Sequence, residues 1–390
     1  MKTTAIIAEY NPFHNGHKYL VDKARKSGAE GVIAVMSGNW VQRGDAAIIS
    51  KFARTEQALA CGVDLVAELP SYWAMASAQK FALGAMDIIS NLHADTLMFG
   101  SECGDLARIM QTVYCIRSGE FSSRLRQLLD SGMNLAKARE TAVHELCGNG
   151  ELLRNPNDTL AIEYISAAKT LNSKINFVAV KRNSVGHNDT DTVGNFCSAS
   201  VLREMIKRGD IEKAAAFMPE ESFSILKREA ENGKISDLLR LELAILAVLR
   251  TTSIEVLKKV PDTSEGIEYR ILNAARMAKN WNSLLEYAAT KRYTNARLRR
   301  LILSAFLREK AEEIPQNVPF IRILGTSDIG NEILKNARES SKLPIIMRSS
   351  ELKENPVFDF EAKATDVYSL SQITPENSGI EFTNGIITNR

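Results

Sequence analysis

An α/β fold around a parallel sheet, followed by a helical region and a smaller C-terminal α/β region, is predicted by three observations. Up to about residue 200, short apolar runs rich in Val and Ile alternate with longer stretches of helical apolar spacing. From Arg203 to Lys310 the strand-like runs stop, and segments such as Leu238 to Leu249 and Leu298 to Leu307 keep only helical spacing. After Pro315 the strand-like runs return. The expected organisation is a first domain over 1–205, a helical and basic domain over 206–314, and a small α/β region over 315–390.

The apolar run Thr3 to Ala8 stops at Asn11-Pro12, which suits a buried strand closed by a turn. Helical spacing through Tyr19, Leu20 and Ala24 follows and ends near Lys26-Ser27-Gly28, where a Gly after basic residues is a helix stop. Gly31 to Met36 is a second strand, and Val63 to Glu68, Thr96 to Phe99 and Ile175 to Val180 are three more. Between them lie expected helices at Ala74 to Ile89, Asp105 to Ile116, a mostly helical stretch to Cys147, and Thr159 to Leu171, with another starting near Ser200. Beyond Pro315, Phe320 to Leu324 and Pro344 to Met347 are strand-like, and Ile329 to Arg338 and Ala362 to Leu370 are helical. This last block is expected to pack back on the first sheet, with weak order after Pro375.

Composition narrows the class. Of 390 residues, 45% are hydrophobic and 25% charged, so the chain can bury a substantial core and is not a disordered one. No apolar run approaches the roughly 18 residues of a membrane span, and Thr3 to Ala8 leads into polar sequence rather than a signal-peptide cleavage site. Five cysteines with no CxxC pair read as reduced thiols of a cytoplasmic protein. A formal net charge of +2 leaves any attraction to nucleic acid to local clusters.

The segment Glu9-Tyr10-Asn11-Pro12-Phe13-His14-Asn15-Gly16-His17 joins the first strand to the first helix. This is the end of a parallel strand where ligands of such sheets bind. His14 and His17, three apart, project to one side of the first turn, and Gly16 clears space for a bulky group. The helix N-terminus attracts phosphate, and two imidazoles beside it suit attack on an α-phosphate with pyrophosphate leaving. A metal site is disfavoured, because only five histidines exist and no Cys, His or acid cluster completes one nearby. A purely structural histidine pair remains the alternative.

His14-Asn15-Gly16-His17 matches the HxGH motif of the nucleotidyltransferase superfamily. The longer stretches AEYNPFHNGH and SGNWVQRGDAAIISKFART more closely resemble the bacterial tRNA(Met) cytidine acetate ligase family. That resemblance implies a Rossmann-like parallel sheet of the HxGH type and ATP contacts along Ile7, Ala8, Glu9, Tyr10, Asn11, Pro12, Phe13, His14, Asn15, Gly16, His17, Lys18, Tyr19 and Leu20. Phe99-Gly100-Ser101-Glu102 ends a strand where Gly100 can admit a ribose or adenine. Asn157 to Tyr164 is similar to the family's Asn-containing helix start, with Asn157 a nucleotide contact; Asp158 and Ala161 stand where the family usually has Asn and Gly. Arg182 is similar to the family's nucleotide-binding Arg, and Ser198 to Arg203 resembles the second superfamily motif, with Ser198, Ser200 and Arg203 on the β- and γ-phosphates. Each residue also has a plain structural role open to it: Ser200 as an N-cap, Arg203 as a solvated helix residue, Gly100 as a turn, Arg182 as a carboxylate partner.

The connection Ser37 to Lys51 carries Trp40, Gln42, Arg43 and Asp45, which suggests substrate positioning. Lys51 or Arg43 is expected to neutralise a small carboxylate or the leaving pyrophosphate, and Lys51 joins His14 and His17 as an expected catalytic residue. Between Arg203 and Lys310 there are 21 Lys and Arg against 15 Asp and Glu, concentrated at Lys291, Arg292, Arg297, Arg299 and Arg300 around Tyr293. These six are expected to bind tRNA through phosphates and an unpaired base, so that charge reversal at Arg299 and Arg300 weakens tRNA binding and spares ATP binding.

What the resemblance implies is an ATP-dependent ligase. Acetate attacks the α-phosphate of ATP, and the exocyclic amine of the wobble cytidine of elongator tRNA(Met) then takes the acetyl group. Magnesium enters only as a possible counter-ion of the nucleotide, with no protein-held metal and no membrane partner. The alternatives are a small-molecule adenylyl- or cytidylyltransferase, and a non-catalytic nucleotide-sensing RNA-binding protein.

Overall fold

The computed structural model describes residues 1–182, 197–264, 266–290 and 292–389. Its strands are β1 (Thr3–Ala8), β2 (Gly31–Ser37), β3 (Trp40–Val41), β4 (Asp45–Ala46), β5 (Leu65–Leu69), β6 (Thr96–Ser101), β7 (Asn176–Lys181), β8 (Ile321–Ser327), β9 (Ile345–Ile346) and β10 (Ile387–Asn389). The helices before β7 are α1 (Asn15–Lys26), α2 (Lys51–Ala60), α3 (Ser71–Ala74), α4 (Ala78–Asn91), α5 (Leu106–Ile116), α6 (Gly119–Asp130), α7 (Leu135–Cys147) and α8 (Pro156–Thr170). The helical region holds α9 (Ala199–Lys207), α10 (Ile211–Ala214), α11 (Glu220–Glu231), α12 (Glu242–Thr251), α13 (Ile254–Leu257), α14 (Ile267–Met277), α15 (Trp281–Ala288) and α16 (Asn295–Phe306). The C-terminal region adds α17 (Asp328–Arg338), α18 (Pro356–Ser369) and α19 (Ile380–Thr383).

The main sheet runs β10-β8-β5-β2-β1-β6-β7, with β9 beside β8. β5, β2, β1, β6 and β7 are parallel, and β8 joins antiparallel to β5. Every residue of β2 is buried because both faces of the sheet are covered. Ile33 and Val35 enter one core with Ala5, Leu65 and Leu97; Val32, Ala34 and Met36 enter the other with Ile6 and Val66. From β1 the chain steps to β2 and β5 on one side, then returns to place β6 on the other. The order therefore reverses between β1 and β6, and the carboxyl ends of those two strands border the crevice where such sheets take ligands.

The expected alternation is present, with three corrections. The helix expected over Ala74 to Ile89 is two helices, because Ser77 leaves the helical backbone and its side chain caps α4. The boundary expected after residue 205 falls inside α9. The region after residue 315 contributes β8 and β10 to the main sheet itself, and the segment expected to be weakly ordered after Pro375 supplies α19 and the edge strand β10. Glu381 of α19 is fully buried against Lys51 and Arg322, and ion pairing inside the core holds this end of the chain in place. No helix among the described residues is long and apolar enough to cross a membrane.

Candidate active site

His14 is the N-cap of α1, in extended backbone conformation. Its Nδ1 accepts from the Gly16 N–H at 3.0 Å, and its own N–H donates to His17 Nδ1 at 3.2 Å. Both Nδ1 atoms are thus acceptors, so each neutral ring carries its proton on Nε2. The rings stack with centroids 3.8 Å apart. Burial, then the charges of Arg182 and Arg203, push the His14 pKa down to about 3; burial, His14 and Arg182 hold His17 well below the ordinary imidazole range. The pair is a neutral double donor. A Cβ on Gly16 would lie 2.8 Å from His14 Cε1, so the glycine is required by the His14 ring itself as well as by access. Tyr10, in the left-handed region at φ 47°, packs its buried ring against Phe13 and edge-on to His17, at centroid distances of 4.7 and 4.9 Å.

Two guanidinium groups flank the pair. Arg203 donates to Asn11 O at 3.0 Å and to Ser200 Oγ at 3.2 Å, and Arg43 reaches the same hydroxyl at 3.2 Å. Burial first, and then Arg43, lowers the pKa of Arg203. Ser198, not Ser200, is the N-cap of α9, accepting from Val201 N at 3.3 Å; the Ser200 hydroxyl faces the two arginines. Arg182 donates to Asn157 Oδ1 at 3.3 Å and lies against Gly100. Glu102 accepts from Asn157 Nδ2 at 2.6 Å and from Asp158 N at 2.9 Å. Asp158 is fully buried and accepts from Ser101 Oγ at 2.5 Å and Asn155 Nδ2 at 2.9 Å, so it ties the end of β6 to the start of α8.

Arg54, to which the sequence reading gave no role, ties together the chain ends of β1 and β2. It is fully buried and donates to the carbonyls of Glu9, Ser37, Gly38 and Ile49 at 2.5–3.1 Å. Burial lowers its pKa to about 10, which leaves it charged at neutral pH. One cation thus satisfies carbonyls just past both β1 and β2, where the sheet ladder ends. Gln57 of α2 receives the Phe13 N–H at 3.2 Å, and Ser222 of α11 donates to Phe13 O at 2.8 Å. The sequence signals for Arg54 were its place in the SGNWVQRGDAAIISKFART stretch and on the Ser50-capped helix α2.

Several expected residues lie elsewhere. Lys51 is sealed in a buried cluster rather than facing the histidines: its Nζ meets Glu68, Glu381 at 2.5 Å and Glu361 at 3.3 Å. Burial works against its charge, but these three carboxylates raise its pKa. Arg322 pairs with Glu68 and Glu381 at 3.0 and 2.6 Å, leaving three acids against two cations, and burial lifts Glu68 to about 7. Lys18 pairs with Asp22, Tyr19 lies under Lys23, and Leu20 packs on the core.

Among the residues expected to bind tRNA, Arg299 donates to Gly44 O and pairs with Asp45, both at 2.9 Å, and Arg300 donates to Gln42 O at 3.1 Å. Both brace the β3–β4 hairpin and are only partly exposed. Arg297 donates to Asp262 O and Ser264 Oγ, both at 2.9 Å, and covers the buried ring of Tyr293. Arg292 is exposed, and Lys291 lies outside the described residues. No group of three or more His, Cys, Asp or Glu that could hold a metal occurs among the described residues.

The HIGH Nucleotidyl Transferase family model matches residues 1–381. The chain is 35% identical over 401 residues to the tRNA(Met) cytidine acetate ligase of Caldanaerobacter subterraneus, covering 99% of this chain and all of that protein. It is 37% identical over 396 residues to the enzyme of that name from Clostridium kluyveri, covering 95% of each. Thermotoga maritima TmcAL is similar over the full length of both chains at 32% identity, with TM-scores of 0.94 for its apo crystal structure and 0.91 for that bound with alpha-thio ATP.

Proposed function

Because the chain belongs to the HIGH Nucleotidyl Transferase family and, within it, to the tRNA(Met) cytidine acetate ligases, we propose that it activates acetate with ATP and passes the acetyl group to the wobble cytidine of elongator tRNA(Met). The observation that carries this reading is the stacked, neutral His14–His17 pair, fixed as two Nε2–H donors within the field of Arg182 and Arg203 at the point where the strand order reverses.

An acetate oxygen attacks the α-phosphorus of ATP, and the bond to the bridging oxygen breaks to release pyrophosphate. His14 and His17 donate Nε2–H to the α-phosphate oxygens as charge builds there, with no reorganisation, since both rings are already locked by backbone bonds. The fixed positive charge comes from arginines, so the imidazoles remain neutral donors. Arg203, with Ser200 and Arg43 beside it, neutralises the departing pyrophosphate. Asn157 and Gly100, steadied by Glu102 and Arg182, hold the nucleoside. The exocyclic amine of the cytidine then attacks the carbonyl carbon of acetyl-adenylate, AMP leaves, and the nitrogen sheds a proton. The nucleotide chemistry is assigned to the first domain, and tRNA to the helical region.

Incubation with labelled acetate, ATP and total tRNA tests the reading. Label in tRNA, dependent on ATP, supports it. Label confined to a small molecule points to a nucleotidyltransferase, and no transfer at all leaves a nucleotide-binding protein; either overturns it.

A further inference from the structure

Between α14, α15 and the turn after α15 lies an open groove of about 560 Å³. Tyr269, Met277 and Tyr287 line it and are 52%, 59% and 44% exposed, an unusual concentration of wet apolar surface on one face. Arg270 also lines it, with its guanidinium fixed across the end of α15 by bonds to Ala288 O at 2.8 Å and Ala289 O at 2.6 Å. Asn273 adds an exposed amide, Arg292 a second guanidinium, and Lys258 Nζ stands 5.7 Å from the Tyr269 ring centroid. Among the described residues no Asp or Glu lines the groove.

Aromatic faces beside cations, with an amide and no acid among the described lining residues, match the chemistry of unpaired nucleotides: bases stack, and phosphates meet guanidinium groups. An apolar peptide would leave the cations unused. An acidic peptide would leave the ring faces unused. The volume is on the order of that which encloses a small ligand, here one or two nucleotides. We infer that this groove seats an unpaired stretch of the tRNA, with bases stacked on Tyr269 and Tyr287 and phosphates on Arg270 and Arg292. The inference rests on the reading of tRNA as substrate. It places RNA contact on the neighbouring helices α14 and α15.

The test compares wild type with a Tyr269→Ala/Tyr287→Ala double variant in two assays: tRNA binding at one fixed salt concentration, and ATP–pyrophosphate exchange without tRNA. Both side chains are half exposed, so the fold is retained. The expected result is tRNA affinity at least about tenfold weaker, as for loss of base stacking, unchanged exchange, and rescue of tRNA binding by Tyr269→Phe/Tyr287→Phe. Affinity of the alanine variant within twofold of wild type overturns the inference alone. A wild-type protein that neither binds nor acetylates tRNA overturns the functional reading and the inference together. Unchanged tRNA affinity with altered self-association in sedimentation assigns the groove to a second copy and also overturns it.

Discussion

Replacing Arg299 by Ala should damage adenylation more than tRNA binding, the reverse of what its place in a basic sequence suggests. Its guanidinium pairs with Asp45 at 2.9 Å and donates to Gly44 O at 2.9 Å, with the paired side chains 29% and 19% exposed. The hairpin it holds carries Arg43, which reaches Ser200 in the phosphate-side cluster, and Gln42, whose N–H donates to Glu9 at 3.0 Å. Losing one charged and one neutral hydrogen bond costs about 2 kcal/mol once partial exposure is discounted. At about 1.4 kcal/mol per factor of ten, that is roughly a 30-fold fall in kcat/KM for ATP–pyrophosphate exchange if hairpin placement limits the step. Gly44→Ala attacks the same contact from the other side. At φ +70° its Cβ would come within 2.6 Å of Arg299 Cβ and 2.7 Å of Arg300 N, and exchange should fall similarly. The measurement is exchange kinetics beside tRNA affinity for both variants. Full exchange activity with a tenfold loss of tRNA affinity in Arg299→Ala would refute the bracing role and return Arg299 to the RNA surface.

Alanine at His14 or His17 should lower exchange about 100- to 1000-fold, as removal of a preorganised donor does; a variant turning over at the wild-type rate would remove the pair from the chemistry. Because His14 stays neutral in the folded chain down to about pH 3 while the unfolded imidazole takes a proton below about 6.5, the unfolded state binds more protons in that window. Stability of wild type should therefore fall with falling pH between those values, by up to about 1.4 kcal/mol per pH unit relative to His14→Gln, as read by denaturant titration. Lys51→Met should lower stability by about 3–5 kcal/mol, by leaving buried carboxylates without their cation. Glu68→Gln, which replaces a group already held near neutrality, should cost less, and neither variant that folds should change the KM for ATP. A raised KM for ATP in folded Lys51→Met would place Lys51 back in the site.

Local chemistry was legible in the sequence wherever the partners are close along the chain. The alternation of β1, α1 and β2 follows from spacing, and the histidine pair follows from His14 and His17 at the first turn of α1, where an N-cap and the third residue of a helix must meet. Even so, spacing did not distinguish the two serines at the start of α9, because only the backbone angles at Ser198 decide which one caps. What depended on distant partners was decided by the tertiary structure. Lys51 reads as a loop-end cation but meets Glu361, 310 residues away, and Arg54 closes carbonyls from two strands and a loop at once. Arg299 and Arg300 read as an RNA-facing stripe until Gly44 and Gln42 arrive against α16. A sequence states how many charges a segment carries, but a charge acts through whatever the fold brings within a few ångströms of it. Burial then decides whether that charge binds a ligand or is spent holding the protein together.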